Sequence, residues 1–108
     1  MSQNAQAFVV MVTYEIWERD HEAYFALMER VRDNALETGA VSYQLLRDDD
    51  LTTRFTEVMT FDTWNHYKRV QAKPLSAGMA EVYAQIAGFT IGGESDTDVR
   101  YLNLLSEG

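Results

Sequence analysis

The sequence has no cysteine, a single proline, only two histidines and nine basic residues against seventeen acidic ones. Each shortage excludes something. Without cysteine there is no disulfide framework, no thiolate metal site, no cysteine nucleophile and no thioether-bound haem. The net charge of −8 repels phosphate backbones and anionic bilayers, so neither nucleic acid nor membrane is expected as a partner. The only sustained apolar run, Phe8 to Val12, is far too short to span a bilayer. The opening residues Met1 to Ala7 lack the basic and apolar regions of a signal peptide, and a cytoplasmic location is the expectation. His21 and His66 have no second histidine or cysteine at i+3 or i+4, so no nitrogen or sulfur metal site is expected, and no cofactor motif is present.

What the chain does have is apolar and aromatic mass. Its 108 residues are 46% hydrophobic, with two Trp, six Tyr and five Phe, enough for one packed domain over 1–108. The core is expected over about 8–105, with 1–7 and 106–108 as flexible ends. Phe8 to Trp17 is rich in β-branched and aromatic residues with apolar side chains on both parities at its start, which predicts a strand buried on both faces. Asp20 is placed to cap a helix in which Tyr24, Leu27, Met28, Val31 and Ala35 recur at helical spacing, and Gly39 is placed to stop it. Ala40 to Arg47 and Arg54 to Phe61 alternate around a polar Asp/Thr link, predicting an antiparallel hairpin.

Asp62-Thr63 opens a second helix carrying Trp64, Tyr67 and Val70. Pro74 must interrupt it, because proline removes a backbone donor and its ring clashes with the preceding turn. A third helix is predicted over Leu75 to Ala87, stopped by Gly88. A flexible acidic loop over 92–98 follows, and then a last strand over Val99 to Leu105.

The order strand, helix, strand, strand, helix, helix, strand predicts an α+β fold: a ferredoxin-like split β-α-β with a four-stranded antiparallel sheet and helices on one face. The other face is left bare. Strands one to three carry apolar residues on both parities, so a second copy of the chain is the expected cover.

The segments Gly39-Ala-Val-Ser-Tyr-Gln-Leu, Arg47-Asp-Asp-Asp-Leu and Phe55-Thr-Glu-Val-Met-Thr-Phe-Asp-Thr-Trp64 together resemble the antibiotic biosynthesis monooxygenase family of dimeric α+β barrels. The resemblance runs from about Phe8 to Leu105. It implies a homodimer with a pocket in each protomer between sheet and helices. Activities in that family range from cofactor-independent oxygenases of aromatic polyketides, through quinol oxygenases and haem-degrading enzymes, to members without known activity. The helix-opening segment is most similar to the small domain found alone or appended to transport proteins. Catalytic members often carry a histidine further along the helix after the tryptophan; Gln71 stands about there.

Several residue groups are candidates for chemistry. Asn65 could hold a carbonyl or dioxygen, Trp64 could stack on an aromatic ligand, and His66 could act as a base. Successive helix positions point about 100° apart, so the three do not share one pocket, and Trp64 in the core with His66 toward solvent is the plainer reading. Glu57 is the one acid inside an otherwise apolar strand. Facing a pocket it would be a base of raised pKa; facing a dimer seam it would pair with Arg47, Arg54 or Arg100. Tyr14, Phe25, Tyr43, Phe61, Tyr67 and Tyr83 are candidate ligand-lining aromatics, or else core filler. His21 is expected to be exposed, and Asp48-Asp49-Asp50 to be a solvated turn without calcium-loop spacing.

The function expected from these readings is cofactor-independent monooxygenation, or binding, of a planar aromatic or quinone-like molecule. The alternatives are a non-catalytic dimeric binding or accessory module and, third, a haem-degrading enzyme.

Overall fold

A computed structural model describes residues 7–106. Strand β1 (Phe8–Glu15) leads through a short 3-10 turn into α1 (His21–Thr38), followed by β2 (Ser42–Arg47), β3 (Arg54–Phe61), α2 (Trp64–Ala72), α3 (Ala77–Phe89) and β4 (Asp98–Asn103). The sheet is antiparallel throughout, in the order β2-β3-β1-β4. This is the ferredoxin-like split β-α-β arrangement. The ends expected to be flexible lie outside the described residues except for Ala7 and Ser106; Ala7 is tied down, its carbonyl accepting from the Leu104 N–H.

The period-2 alternation of β1 and β3 sorts their side chains. Val12 stands opposite Glu57 and Tyr14 opposite Phe55, so the even positions of β1 and the odd positions of β3 share the face under the helices. Two apolar clusters form there. One joins Tyr14, Ile16 and Phe55 of the sheet region to Tyr24, Met28 and Val31 of α1 and Met79, Val82 and Ile86 of α3. The other joins Phe8, Val10, Ala40, Phe61 and Tyr67. Fully burying a side chain such as Phe55 or Val31 stabilises the fold by about 1.5–3 kcal/mol.

The helix ends follow the sequence signals with three exceptions: Asp20, Gly88 and the start of α3, which lies at Ala77 and not Leu75. Thr63 and Ser76 cap α2 and α3, accepting from the backbone N–H groups of His66 and Met79. Gly39, at φ 136°, ends α1, while Asp20 precedes it without a side-chain capping bond. Gly88 does not stop α3: the helix runs through it to Phe89, and Thr90 closes the end by donating its hydroxyl to the Ile86 carbonyl. The 92–98 loop contains a 3-10 turn, Gly93–Asp96.

The bare face carries Val9, Met11, Val58, Leu46 and Leu102 among polar groups. Thr13 and Thr56 meet across it in a hydroxyl–hydroxyl bond of 2.9 Å, and Arg100 and Asp98 lie together near its edge at 3.7 Å. It is a mixed surface with an apolar middle, less apolar than the strand composition predicts. Threonine satisfies the β preference of a strand without supplying a fully apolar contact.

Candidate functional site

Pro74 shapes the site. It stands just past α2 and separates it from α3, so each helix packs on its own cluster, α2 through Tyr67 and α3 through Met79, Val82 and Ile86. Between the helices and the middle of the sheet, space is left open. One cavity of about 430 Å³ is lined by Val12, Tyr14, Glu57 and Met59 from the sheet, Met28 from α1, Tyr83, Ile86 and Ala87 from α3, and Thr90, Gly93 and Thr97 beyond it.

Glu57 is the only buried charged residue among those described, 9% exposed, and its carboxylate is held by two phenols. Tyr14 donates to Oε2 and Tyr43 to Oε1, each at 2.8 Å. Tyr14 has one proton and gives it to Glu57, so the 2.7 Å contact with Tyr24 runs from the Tyr24 hydroxyl to the Tyr14 oxygen. The chain Tyr24 to Tyr14 to Glu57, with Tyr43 from the other side, satisfies every hydroxyl in the cluster. Loss of water pushes the Glu57 carboxyl above the usual carboxylate range, while the bonds from Tyr43 and Tyr14 pull it back. Burial, then the nearby Glu57 charge, keeps Tyr14 and Tyr43 protonated far into alkali. By the same causes Tyr83 is pushed up to about 12.

The sequence candidates are divided by the fold. Glu57 pairs with none of the three arginines: Arg54 projects from the opposite face to Asp48 at 3.3 Å, Arg100 to Asp98, and Arg47, although on the Glu57 face, stands in register with Phe55. Glu57, Tyr14, Tyr43 and Tyr83 come together. Phe61 and Tyr67 lie in the second cluster, and Phe25 is half-exposed beside Phe55 and His21. Trp64, Asn65 and His66 do not line the Glu57 cavity.

The plainer reading of that helix opening is reversed. Trp64 is 47% exposed, edge-on to Phe8 at 4.8 Å with the Lys68 ammonium over its ring. His66 is half-buried, its ring edge-on to Phe61 and close to Gly39. The reason lies at edge strand β4, where Trp64 and Tyr67 reach only Tyr101 and leave it and Val99 about half-exposed, so Trp64 sits at the rim of the packed region.

His21 is likewise half-buried instead of exposed, with Nε2 3.1 Å from the Ile16 carbonyl. A carbonyl only accepts, so Nε2 carries the proton. Sequence reasoning missed Thr90 and Thr97, which belong to a region whose path no local pattern specifies. Among the described residues no three His, Cys, Asp or Glu side chains gather in a way that could hold a metal ion, and no helix is long and apolar enough to cross a membrane.

Residues 1–107 match a family model described as transmembrane secretion effector, and the chain belongs to that family. No curated protein matches the sequence. The fold is that of the antibiotic biosynthesis monooxygenases. A candidate antibiotic biosynthesis monooxygenase from Nitrosomonas europaea superposes with TM-score 0.76 at 14% identity, covering 97% of this chain and 95% of that one. SnoaB, a cofactor-independent oxygenase from Streptomyces nogalater, gives TM-score 0.73 at 12% identity over 94% and 95%. A protein from Shewanella oneidensis gives 0.68 at 21% over 94% and 93%. Likeness at these identities is one of fold, and each protein's chemistry remains its own.

Proposed function

From this membership, this fold and the buried carboxylate, we propose that the chain is a cofactor-independent monooxygenase-like protein that binds a planar aromatic or quinol-like compound. It works as a cytoplasmic homodimer joined through the bare sheet face. The observation that carries the reading is the Glu57 carboxylate in the wall of a 430 Å³ cavity whose other walls are chiefly apolar.

Each carboxylate oxygen accepts one phenolic hydrogen bond and keeps a lone pair for a ligand. Desolvation makes Glu57 a stronger base than a surface carboxylate. A phenol, or a CH₂ between two aromatic rings that a conjugated carbonyl makes acidic, gives its proton to Glu57. The resulting anion passes an electron to dioxygen, a C–O bond forms, and water departs. For a methylene group the balance is CH₂ + O₂ giving C=O + H₂O. Val12, Met28 and Ile86 exclude water around the reacting atoms, which preserves the basicity of Glu57.

Dioxygen uptake with a panel of anthrones and naphthoquinols tests the reaction, with Glu57→Gln as control. Turnover that falls by about a hundredfold or more in the variant is the expected result for loss of a general base. No turnover above buffer across the panel overturns the catalytic reading.

A second reading is favoured by the family itself: a secretion effector whose described residues contain no membrane-crossing helix can serve as a ligand-binding accessory module. Saturable binding of the same compounds without oxygen uptake supports it. A haemin titration separates both from haem chemistry. His21 and His66 line neither this cavity nor the one described below, and no Soret shift is expected.

A further inference from the structure

A second cavity, of about 570 Å³, lies on the other side of Met59 and Tyr83. Those two side chains belong to the walls of both spaces. Met59 and Tyr83 thus stand between the two spaces, and neither is rigidly wedged: methionine has three rotatable bonds and adapts its shape, and Tyr83 is 39% exposed. The linings differ in kind. The first cavity has the single buried carboxylate among largely apolar walls. The second is lined by Asn34, Thr38, Gln71, Lys73 and Ser76 together with Phe61, Val70, Pro74 and Leu75. Lys73 supplies the one cation to either lining, and among the described residues it has no ion-pair partner. On a chain of net charge −8, a cation next to a cluster of amide and hydroxyl groups is a local exception to the surrounding field.

We infer that the two cavities form one bipartite site for an elongated amphiphile, with a phenolic or enolisable aromatic head at Glu57 and an anionic tail reaching past Met59 and Tyr83 to Lys73. Gln71 and Asn34 offer amide donors to the same tail. This rests on the reading of the Glu57 cavity as a ligand site and adds the ligand's length and charge. Met59 is the specificity-determining residue, because its side chain decides whether a tail passes.

The test uses three probes on the full chain by fluorescence titration: 2-naphthol, 2-naphthol bearing a six-carbon chain ending in a carboxylate, and the methyl ester of the latter. The acid is expected to bind about tenfold more tightly than the ester, the effect of one charge-assisted contact. Lys73→Gln, at an exposed position, removes that advantage and leaves 2-naphthol unchanged. Met59→Trp blocks both long probes more than the short one.

If 2-naphthol binds, and acid and ester bind alike with no response to Lys73→Gln, the bipartite site is overturned and the Glu57 reading stands. If none of the probes binds, both fall. Lys73-dependent binding of the acid with 2-naphthol unbound, unchanged by Glu57→Gln, places the acid in the second cavity alone and overturns the bipartite site.

Discussion

Tyr14 on β1 and Glu57 on β3 are diagonal neighbours on one face of the sheet, and the phenol donates to Glu57 Oε2 at 2.8 Å. The direct register partners of Glu57 are Val12 on β1 and Leu45 on β2, and neither side chain can satisfy a carboxylate. Diagonal reach across an antiparallel pair suits a long side chain such as tyrosine. The bond keeps a buried charge tolerable while the other half of the carboxylate's acceptor capacity faces the cavity.

The raised Glu57 pKa makes stability depend on pH in a defined direction. A carboxyl whose folded pKa exceeds its unfolded value contributes stability that is complete below the unfolded value, near 4.5, and is lost as pH rises through the folded one. Urea unfolding of the wild type and Glu57→Gln at pH 5 and pH 8 checks this. The wild type is expected to lose stability relative to the variant between the two values. A gap that stays constant contradicts it.

Removing either phenolic donor leaves a buried carboxylate short of a partner, at a cost of about 1–3 kcal/mol. Tyr14→Phe is expected to cost more than Tyr43→Phe, because Tyr14 is more deeply buried and its loss also strands the Tyr24 hydroxyl. In the Glu57→Gln background the two losses should not add to the Glu57→Gln effect. Thermal melts of the single and double variants measure the coupling.

Gly39 is required twice over. Its φ of 136° disfavours any side chain, and a Cβ there would stand 2.7 Å from Nε2 of His66. Gly39→Ala is expected to destabilise by about 1–3 kcal/mol. Adding His66→Ala should recover the steric share and leave the backbone share, which denaturant unfolding of the three variants resolves.

Dimerisation through the bare face is testable at its apolar middle. Val58 pairs in register with Met11 and Gln44, and Val58→Lys would place an unpaired charge in the seam of both copies. Sedimentation velocity is expected to give a dimer for the wild type and a monomer for the variant, with far-UV circular dichroism unchanged. A monomeric wild type would remove the bare face from the account.

The element order and most helix ends were legible because they rest on local physics. Alternation in β1 and β3, the caps Thr63 and Gly39, and the break at Pro74 act over a few residues each, and their periods and spacings are written in the chain. Gly88 misled because its neighbours in α3 pack well enough to carry the helix past it; tertiary contact overrides the roughly 1 kcal/mol cost of a helical glycine.

The site was legible only in part. That Glu57 is unusual follows from one acid in an apolar strand, but which face it occupies is a parity that fixes itself only when α1 and α3 land on one side of the sheet. Trp64 and His66 exchanged their expected environments for the same reason: how far a helix opening is covered depends on how α2 lands on edge strand β4, where Trp64 meets only the half-exposed Tyr101.

By itself the sequence determined the ferredoxin-like order of elements, the exclusion of thiol chemistry and the presence of a lone interior carboxylate. Only the tertiary structure decided that two tyrosines hold that carboxylate, that α1 and α3 leave a cavity beside it, and that Met59 and Tyr83 stand between this cavity and the one lined by Pro74. Periodicity encodes a side chain's direction relative to its own backbone. Distances between strands and helices far apart in the chain are set by packing, which no local pattern contains.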